Sequence, residues 1–246
     1  MQNKPIAIVT GAAKGIGRAI CKKLAMEGFY IIAVDLDADG GLVLISELGN
    51  ENAEFHNLSI SNELQVNELF TTVKTKFGKI NAVVNNAGII RDNMIWKMSV
   101  EDFDAVINVN LKGTWLMCRE AAIAMKEQNF GKIVNIASRA WLGNRGQSNY
   151  SASKAGVVAL TRVLALELGK FNISVNAVAP GLIDTPLTQK LGPDVLQKLI
   201  EAQPSKSMGS PADVANTVAF LVAEKTNFIT GQTIYVDGGK SIGANM

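Results

Sequence analysis

Histidine occurs once in the 246-residue chain, at position 56, and cysteine twice, at positions 21 and 118. These scarcities exclude whole classes of chemistry. A histidine-rich metal site needs more ligands, so no metal centre is expected. A Ser-His-Asp hydrolase would have to use His56 as its base, and the sequence has no G-x-S-x-G elbow. His56 follows a short apolar run and reads as a strand-end residue. Cys21 and Cys118 fit no metal spacing and no disulfide framework. They read as small apolar positions in helices of a reduced, cytoplasmic protein. No segment approaches the roughly 18 apolar residues of a membrane span. The apolar run Ile6–Val9 is too short for a signal-peptide core and stops at a Thr-Gly turn. Charge of either sign is also modest: 24 Lys and Arg against 22 Asp and Glu, net +2. The basic residues are scattered, which argues against nucleic acid as a partner.

Apolar residues, by contrast, make up 48% of the chain. That content fits one large α/β domain with a sizeable core. Short β-like runs lie at Ile6–Val9, Tyr30–Val34, Glu54–His56, Ala82–Val84, Ile133–Ile136, Ile173–Val178 and Thr233–Val236. Helical patterns alternate with them, among them "IGRAICKKLAMEG", "ELQVNELFTTVKTKFG" and "SPADVANTVAFLVAE". Ser210 followed by Pro211 is an N-cap with Pro at the first helical position. Such alternation implies βαβ crossovers and a parallel sheet covered on both faces. We therefore expect a single-domain Rossmann fold over residues 1–246, a doubly wound parallel sheet of about seven strands.

In such sheets ligands bind beyond the carboxyl ends of the strands. Small and polar groups collect there: "TGAAKGIG" after strand one, Asp35 after strand two, "NNAG" after strand four, Ser138 after strand five and "PGLIDT" after strand six. Gly11, Gly15 and Gly17 let the backbone approach a pyrophosphate at a helix N-terminus. Their spacing is G-x-x-x-G-x-G, not G-x-G-x-x-G. Asp35 can accept hydrogen bonds from both hydroxyls of an adenosine ribose, or it can be a turn or cap aspartate in "DLDADG". Tyr150 and Lys154 share one face at the start of a helix, among Ser, Ala and Gly.

In this order the segments "TGAAKGIG", "NNAG", Asn110, Ser138, "YSASK", "PGLIDT" and "ITGQTIYVDGG" closely resemble the short-chain dehydrogenase/reductase family over nearly the whole chain. "NNAGIIRDNMIWKM" and "GNRGQSNYSASKAG" are most similar to the 3-oxoacyl-[acyl-carrier-protein] reductases. The loop "SRAWLGNRGQSN" is one residue shorter than is usual there. The resemblance implies hydride transfer between a nicotinamide cofactor and a ketone/secondary alcohol pair. The runner-up substrate is a small secondary or cyclic alcohol.

By the same resemblance Tyr150 is the general acid/base. A free phenol is only about one part in a thousand ionised at neutral pH. Lys154, with the oxidised nicotinamide, would favour the phenolate and hold the nicotinamide ribose. Ser138 would position the reacting oxygen. Asn110 would hold a proton-relay water, although alone it could be a polar residue satisfying a kink. The implied cofactor set is Gly11, Lys14, Gly15, Ile16, Gly17, Asp35, Asn57, Leu58, Asn86, Ala87, Gly88, Tyr150, Lys154, Pro180, Gly181, Ile183 and Thr185. Of these, Asn57 and Leu58 would flank the adenine, Thr185 the nicotinamide amide and Ile183 its ring. Residues 186–208 resemble a mobile substrate lid.

Asp35 favours NAD, because its carboxylate would meet the 2′-phosphate of NADP; Lys14 is the counter-signal that keeps NADP possible. Acyl carrier protein is an acidic partner, and its reductases commonly carry basic residues just before strands five and six. Asn129 and Phe171 stand there, with Lys132 and Lys170 as partial substitutes. The carrier is therefore a doubtful partner and a thioester or other small molecule the expected substrate. Family members are usually tetramers, and the helices over Leu111–Gln128 and Ser148–Lys170 are apolar on more than one side. A homotetramer is expected.

Overall fold

The computed structural model describes residues 4–242, so the ends of the expected 1–246 domain lie outside the described residues. Seven strands form one parallel sheet in the order β3-β2-β1-β4-β5-β6-β7. They are β1 (Ile6–Thr10), β2 (Tyr30–Asp35), β3 (Ala53–Asn57), β4 (Ala82–Asn85), β5 (Gly131–Ile136), β6 (Ile173–Pro180) and β7 (Thr233–Val236). All neighbouring strands pair in parallel. The order reverses between β1 and β4, which opens the crevice in which doubly wound sheets bind ligands.

Alternate residues of each strand feed opposite layers, as the two-residue period of a strand requires. Ile6 and Ile8 pack with α3 (Glu63–Phe77), α5 (Thr114–Gln128) and the end of α6 (Ser148–Leu168). Ala7 and Val9 pack with α1 (Gly15–Met26), α2 (Ala38–Leu48) and α8 (Pro211–Val222). Cys21 and Cys118 are free and buried, one in each layer. Burial pushes the Cys118 thiol up to about 12, so neither it nor Cys21, which is raised further, is a nucleophile. His56 lies within β3 and pairs with Glu54 at 3.0 Å.

One helix departs from the sequence pattern. Helix α2 contains Gly40 and Gly41, poor helix formers, and its periodicity is masked. The glycine is there for packing: a Cβ on Gly41 would lie 2.2 Å from the Phe55 ring of β3. A second irregularity positions function. Helix α4 (Val100–Ile107) runs into α5 through a widened π-type turn, Asn108–Gly113, so the two helices are continuous. Such turns favour functional sites because they re-aim one side chain. Here that side chain is Asn110.

Candidate active site

At the phosphate end the glycines are demanded by the backbone. Gly11 has φ +65°, and a Cβ there would stand 2.7 Å from Asn86 Nδ2 and 2.8 Å from the Ala87 Cα. A Cβ on Gly17 would stand 1.9 Å from the Gly11 carbonyl oxygen. The loop is fastened across the crevice by Thr10 and Asn86. The Thr10 hydroxyl accepts from the amides of Asn86 and Ala87 at 3.0 and 3.1 Å. Asn86 Nδ2 donates to the carbonyls of Thr10 and Gly11 at 3.0 and 3.1 Å. Lys14 precedes α1 without capping it, so the first amides of α1 have no side-chain acceptor. That is the arrangement in which a helix N-terminus receives phosphate oxygens. Ile16, on the first turn, packs partly buried against the core.

At the expected ribose end Asp35 takes the turn role that its sequence left open. Its Oδ2 accepts from the Ala13 amide at 2.9 Å and its Oδ1 from the Asp37 amide at 3.0 Å, so it braces the glycine loop. A carboxylate has about four acceptor positions, so two bonds leave capacity for ribose hydroxyls. Asn57 donates to the carbonyls of Asp35 and Leu36 at 3.1 and 3.0 Å, and Leu58 packs against the core beside it. Lys14 is drawn to Asp37 at 3.6 Å. Arg18 donates to the Ala13 carbonyl at 3.0 Å and pairs with Glu47 at 2.7 Å. The two cations nearest this end are thus already turned to protein acceptors.

At the catalytic end the four expected residues converge from three elements: Tyr150 and Lys154 from α6, Asn110 from the π-type turn and Ser138 from the turn after β5. Lys154, on α6, is buried and donates from Nζ to the Ile136 carbonyl at 2.7 Å. Its other two N–H donors make no protein hydrogen bond among the described residues. Asn110 is wholly buried; its Oδ1 accepts from the Ile89 amide at 2.8 Å, and its Nδ2 donates to the Ile89 carbonyl at 3.0 Å and to Ser153 Oγ at 3.2 Å. It clasps the strand-like segment after "NNAG" to α6. Gly88 lies between: a Cβ there would stand 3.2 Å from Asn110 Oδ1 and 3.6 Å from Lys154 Nζ. The missing side chain of Gly88 leaves the crevice floor open between Asn110 and Lys154.

Lys154 Nζ lies 5.7 Å from the centroid of the Tyr150 ring. Burial lowers Lys154 to about 8. Burial raises Tyr150 above its ordinary value, the Ser138 hydroxyl pulls it back, and the Asp92 carboxylate adds to the rise. Among the protein's own groups only the Ser138 hydroxyl lowers it. Desolvation outweighs the Ser138 hydrogen bond, and these residues favour the neutral phenol. A neutral phenol is the form that gives a proton to a carbonyl oxygen. Ser138 caps the short turn Arg139–Leu142 through the Ala140 amide at 3.1 Å.

The fourth edge is the segment after β6. Pro180 ends that strand, and Gly181 passes so close to β7 that a Cβ would stand 2.6 Å from Asp237 Cβ. Thr185 lies against Gly15, 3.7 Å from the position a Cβ would take there, so this segment reaches the glycine loop. The Ile183 side chain is buried in the core with α8.

Two expectations fail on topology. Asn129 and Phe171 precede β5 and β6, at the end of the parallel sheet remote from Tyr150, and not at the mouth of this site. Asn129 is instead the left-handed cap of α5, with φ 54°. Lys132 cannot substitute as a surface cation: it is buried, donating to the Thr226 carbonyl at 2.6 Å and Asn227 Oδ1 at 3.0 Å.

Sequence reasoning gave no role to Thr10, Asp92, Gln147 or Asn149. The available signal was several polar residues in loops beside Tyr150 and the glycine loop.

These residues fit a nicotinamide dinucleotide: an acceptor at the ribose, open amides at the phosphates, and a buried ammonium with spare donors beside a phenol. The site defines a Rossmann-type oxidoreductase. A family model described as enoyl-(acyl carrier protein) reductase matches residues 11–241. A (2S)-[(R)-hydroxy(phenyl)methyl]succinyl-CoA dehydrogenase subunit, BbsD, of Thauera aromatica is 42% identical, covering 98% of each chain. A 3-oxoacyl-[acyl-carrier-protein] reductase, FabG, of Thermotoga maritima is 40% identical over 95% of this chain and 96% of its own. The crystal structure of levodione reductase superposes with a TM-score of 0.93 at 33% identity, covering 97% of this chain and 98% of that one. The chain belongs to the short-chain dehydrogenase/reductase family. It is an oxidoreductase that acts on ketone/secondary alcohol pairs with a nicotinamide cofactor.

Proposed function

We propose that the protein is an NAD(H)-preferring reductase of 3-oxoacyl thioesters. The observation that carries the reaction is the convergence of the buried Lys154 and Asn110 with the half-buried Tyr150 and Ser138 at the carboxyl ends of β4 and β5. A bound nicotinamide supplies or accepts the hydride. Tyr150 gives its phenolic proton to the carbonyl oxygen, or takes one from the alcohol in reverse. Ser138 orients that oxygen. Lys154 holds the cofactor ribose with its two spare donors and, while charged, stabilises the phenolate that proton transfer leaves. Asn110 fixes the Ile89 peptide so that the relay beneath Lys154 keeps its shape.

The preference for NAD rests on Asp35 and Asp37. A 2′-phosphate at this end would face both carboxylates, while Lys14 and Arg18 are turned to Asp37 and Glu47. Like charges about 4 Å apart cost roughly 1–4 kcal/mol each, depending on screening. NADP remains the disfavoured alternative.

The thioester class is supported by BbsD and FabG, whose names specify a CoA and an acyl-carrier-protein substrate. Weak dependence on the carrier is supported by the likeness to BbsD, whose name specifies a CoA thioester. A second reading, a small cyclic or secondary alcohol, is favoured by the likeness to levodione reductase. The lid would be residues 186–208. Its helix α7 (Pro193–Glu201) has no buried residue and leaves Leu191, Val195 and Leu199 uncovered. A homotetramer is supported by apolar side chains exposed on α4, α5 and α6, including Phe103, Trp115, Ile123, Val163 and Leu166. The free, buried cysteines support a cytoplasmic setting.

The test presents one 3-oxoacyl chain on acyl carrier protein, on coenzyme A and on a truncated thioester, with NADH and NADPH, beside a panel of cyclic ketones. Comparable turnover of all three thioesters with NADH supports the reading. A large, salt-sensitive advantage for the carrier-bound form, or activity on cyclic ketones alone, refutes it.

A further inference from the structure

The residue at the N-cap of α6 is Gln147, and its side chain does not cap the helix. It is nearly buried, and its Nε2 donates to Asp92 Oδ2 at 2.8 Å. Asn149, wholly buried, donates from Nδ2 to the Arg91 carbonyl at 2.8 Å and the Asp102 carbonyl at 3.3 Å, and accepts from the Tyr150 amide at 2.7 Å. Between them the Asn93 amide donates to the Gly146 carbonyl at 2.9 Å. Three links therefore tie the turn that carries Tyr150 to residues 91–102, which continue from the nucleotide loop "NNAG" into α4. The helix forgoes an ordinary cap for this. A cap side chain is worth about 1 kcal/mol, and the Ser148 and Ser151 hydroxyls are left buried without partners.

We propose that Asp92, Gln147 and Asn149 form a clasp that positions Tyr150, so that the general acid/base is held in register with the cofactor loop. They are positioning residues: they act on the turn and touch neither hydride nor proton. The inference rests on the proposed role of Tyr150. A tyrosine on an unclasped first turn could shift by the ångström that costs a reaction about a hundredfold. The charged groups facing Tyr150 are Lys154 from its own helix and Asp92 from the strap; Arg91 and Asp102 make an outer pair at 4.0 Å.

The test reverses the polarity of the clasp. Gln147→Glu sets two carboxylates against each other, and Gln147→Glu with Asp92→Asn restores one donor and one acceptor in the opposite order. Turnover of a 3-oxoacyl thioester with NADH should fall about tenfold or more in Gln147→Glu and recover in the double variant. NADH affinity by fluorescence should stay within about twofold throughout. A substrate-free readout accompanies it, the ultraviolet phenolate titration of Tyr150 obtained against the corresponding Tyr150→Phe protein. That titration should move to higher pH in Gln147→Glu and return in the double variant. Turnover and titration both unmoved by Gln147→Glu, or a loss that the double variant does not recover, overturn the clasp. A wild-type protein without turnover whose titration still follows the clasp contradicts the proposed substrate instead, and leaves the clasp supported.

Discussion

The ammonium of Lys154, buried on α6, is held 2.7 Å from the Ile136 carbonyl and 5.7 Å from the centre of the Tyr150 ring. Burying a cation costs stability. Because its pKa falls to about 8 on folding, the unfolded chain keeps this proton up to its ordinary lysine range and the folded one does not. Stability from this group therefore rises with pH from about 8 toward the unfolded value, and below 8 the penalty is constant. The penalty is about 3 kcal/mol by the pKa difference, offset in part by the bond to Ile136. Lys154→Met should abolish turnover, raise the unfolding midpoint at pH 7, and remove the rise in stability between pH 8 and 9.5. Urea unfolding at both pH values measures this. A variant less stable than wild type contradicts it.

Cofactor choice should follow the acidic ribose end. We expect kcat/KM for NADH to exceed that for NADPH by about tenfold, which corresponds to about 1.4 kcal/mol of repulsion. Asp37→Asn removes the partner of Lys14, which is largely exposed, and should raise NADPH efficiency several-fold while leaving NADH within about twofold. Higher efficiency with NADPH in the wild-type protein overturns the preference.

The contact between α2 and β3 should depend on the missing side chain of Gly41. Gly41→Ala drives a methyl into the Phe55 ring and should destabilise by about 1–3 kcal/mol. In a Phe55→Leu background the same change should cost distinctly less. Equal costs in the two backgrounds, by chemical unfolding, would show that Phe55 is not what the glycine accommodates.

Assembly should bury the apolar side chains left on α5 and α6. Light scattering should give a tetramer at micromolar concentration. Leu166→Glu, at a site 86% exposed in the subunit, should reduce the mass without unfolding the fold. A stable wild-type monomer refutes the assembly.

Most of the fold could be read from the chain because a buried parallel strand announces itself as an apolar run and the helices between announce their period. Each expected strand lies within its observed bounds or differs by a residue or two. Helix α2 was hidden because Gly41 answers to Phe55 and Gly40 to Ala13 and Asp37, and Ala13 and Phe55 are partners known only in three dimensions. The site residues were legible through their order along the chain. Their partners were not. Asp35 bracing the Ala13 amide, Ile183 turning into the core and Lys132 reaching Thr226 all depend on contacts between distant segments. Asn129 and Phe171 were misplaced for a simpler reason: residues before a parallel strand lie at the opposite end from those after it. The burial that raises the Tyr150 pKa was not legible either, because i, i+4 spacing shows a neighbour on the helix and not the packing around it.

The account stands or falls on Tyr150 as the proton donor. NADH oxidation with a 3-oxoacyl thioester, measured for wild type and Tyr150→Phe alongside NADH binding, tests it most directly. The account predicts unchanged NADH affinity and a loss of turnover of about 10²–10⁴-fold, the usual worth of a general acid. A Tyr150→Phe protein that keeps most of its turnover contradicts it.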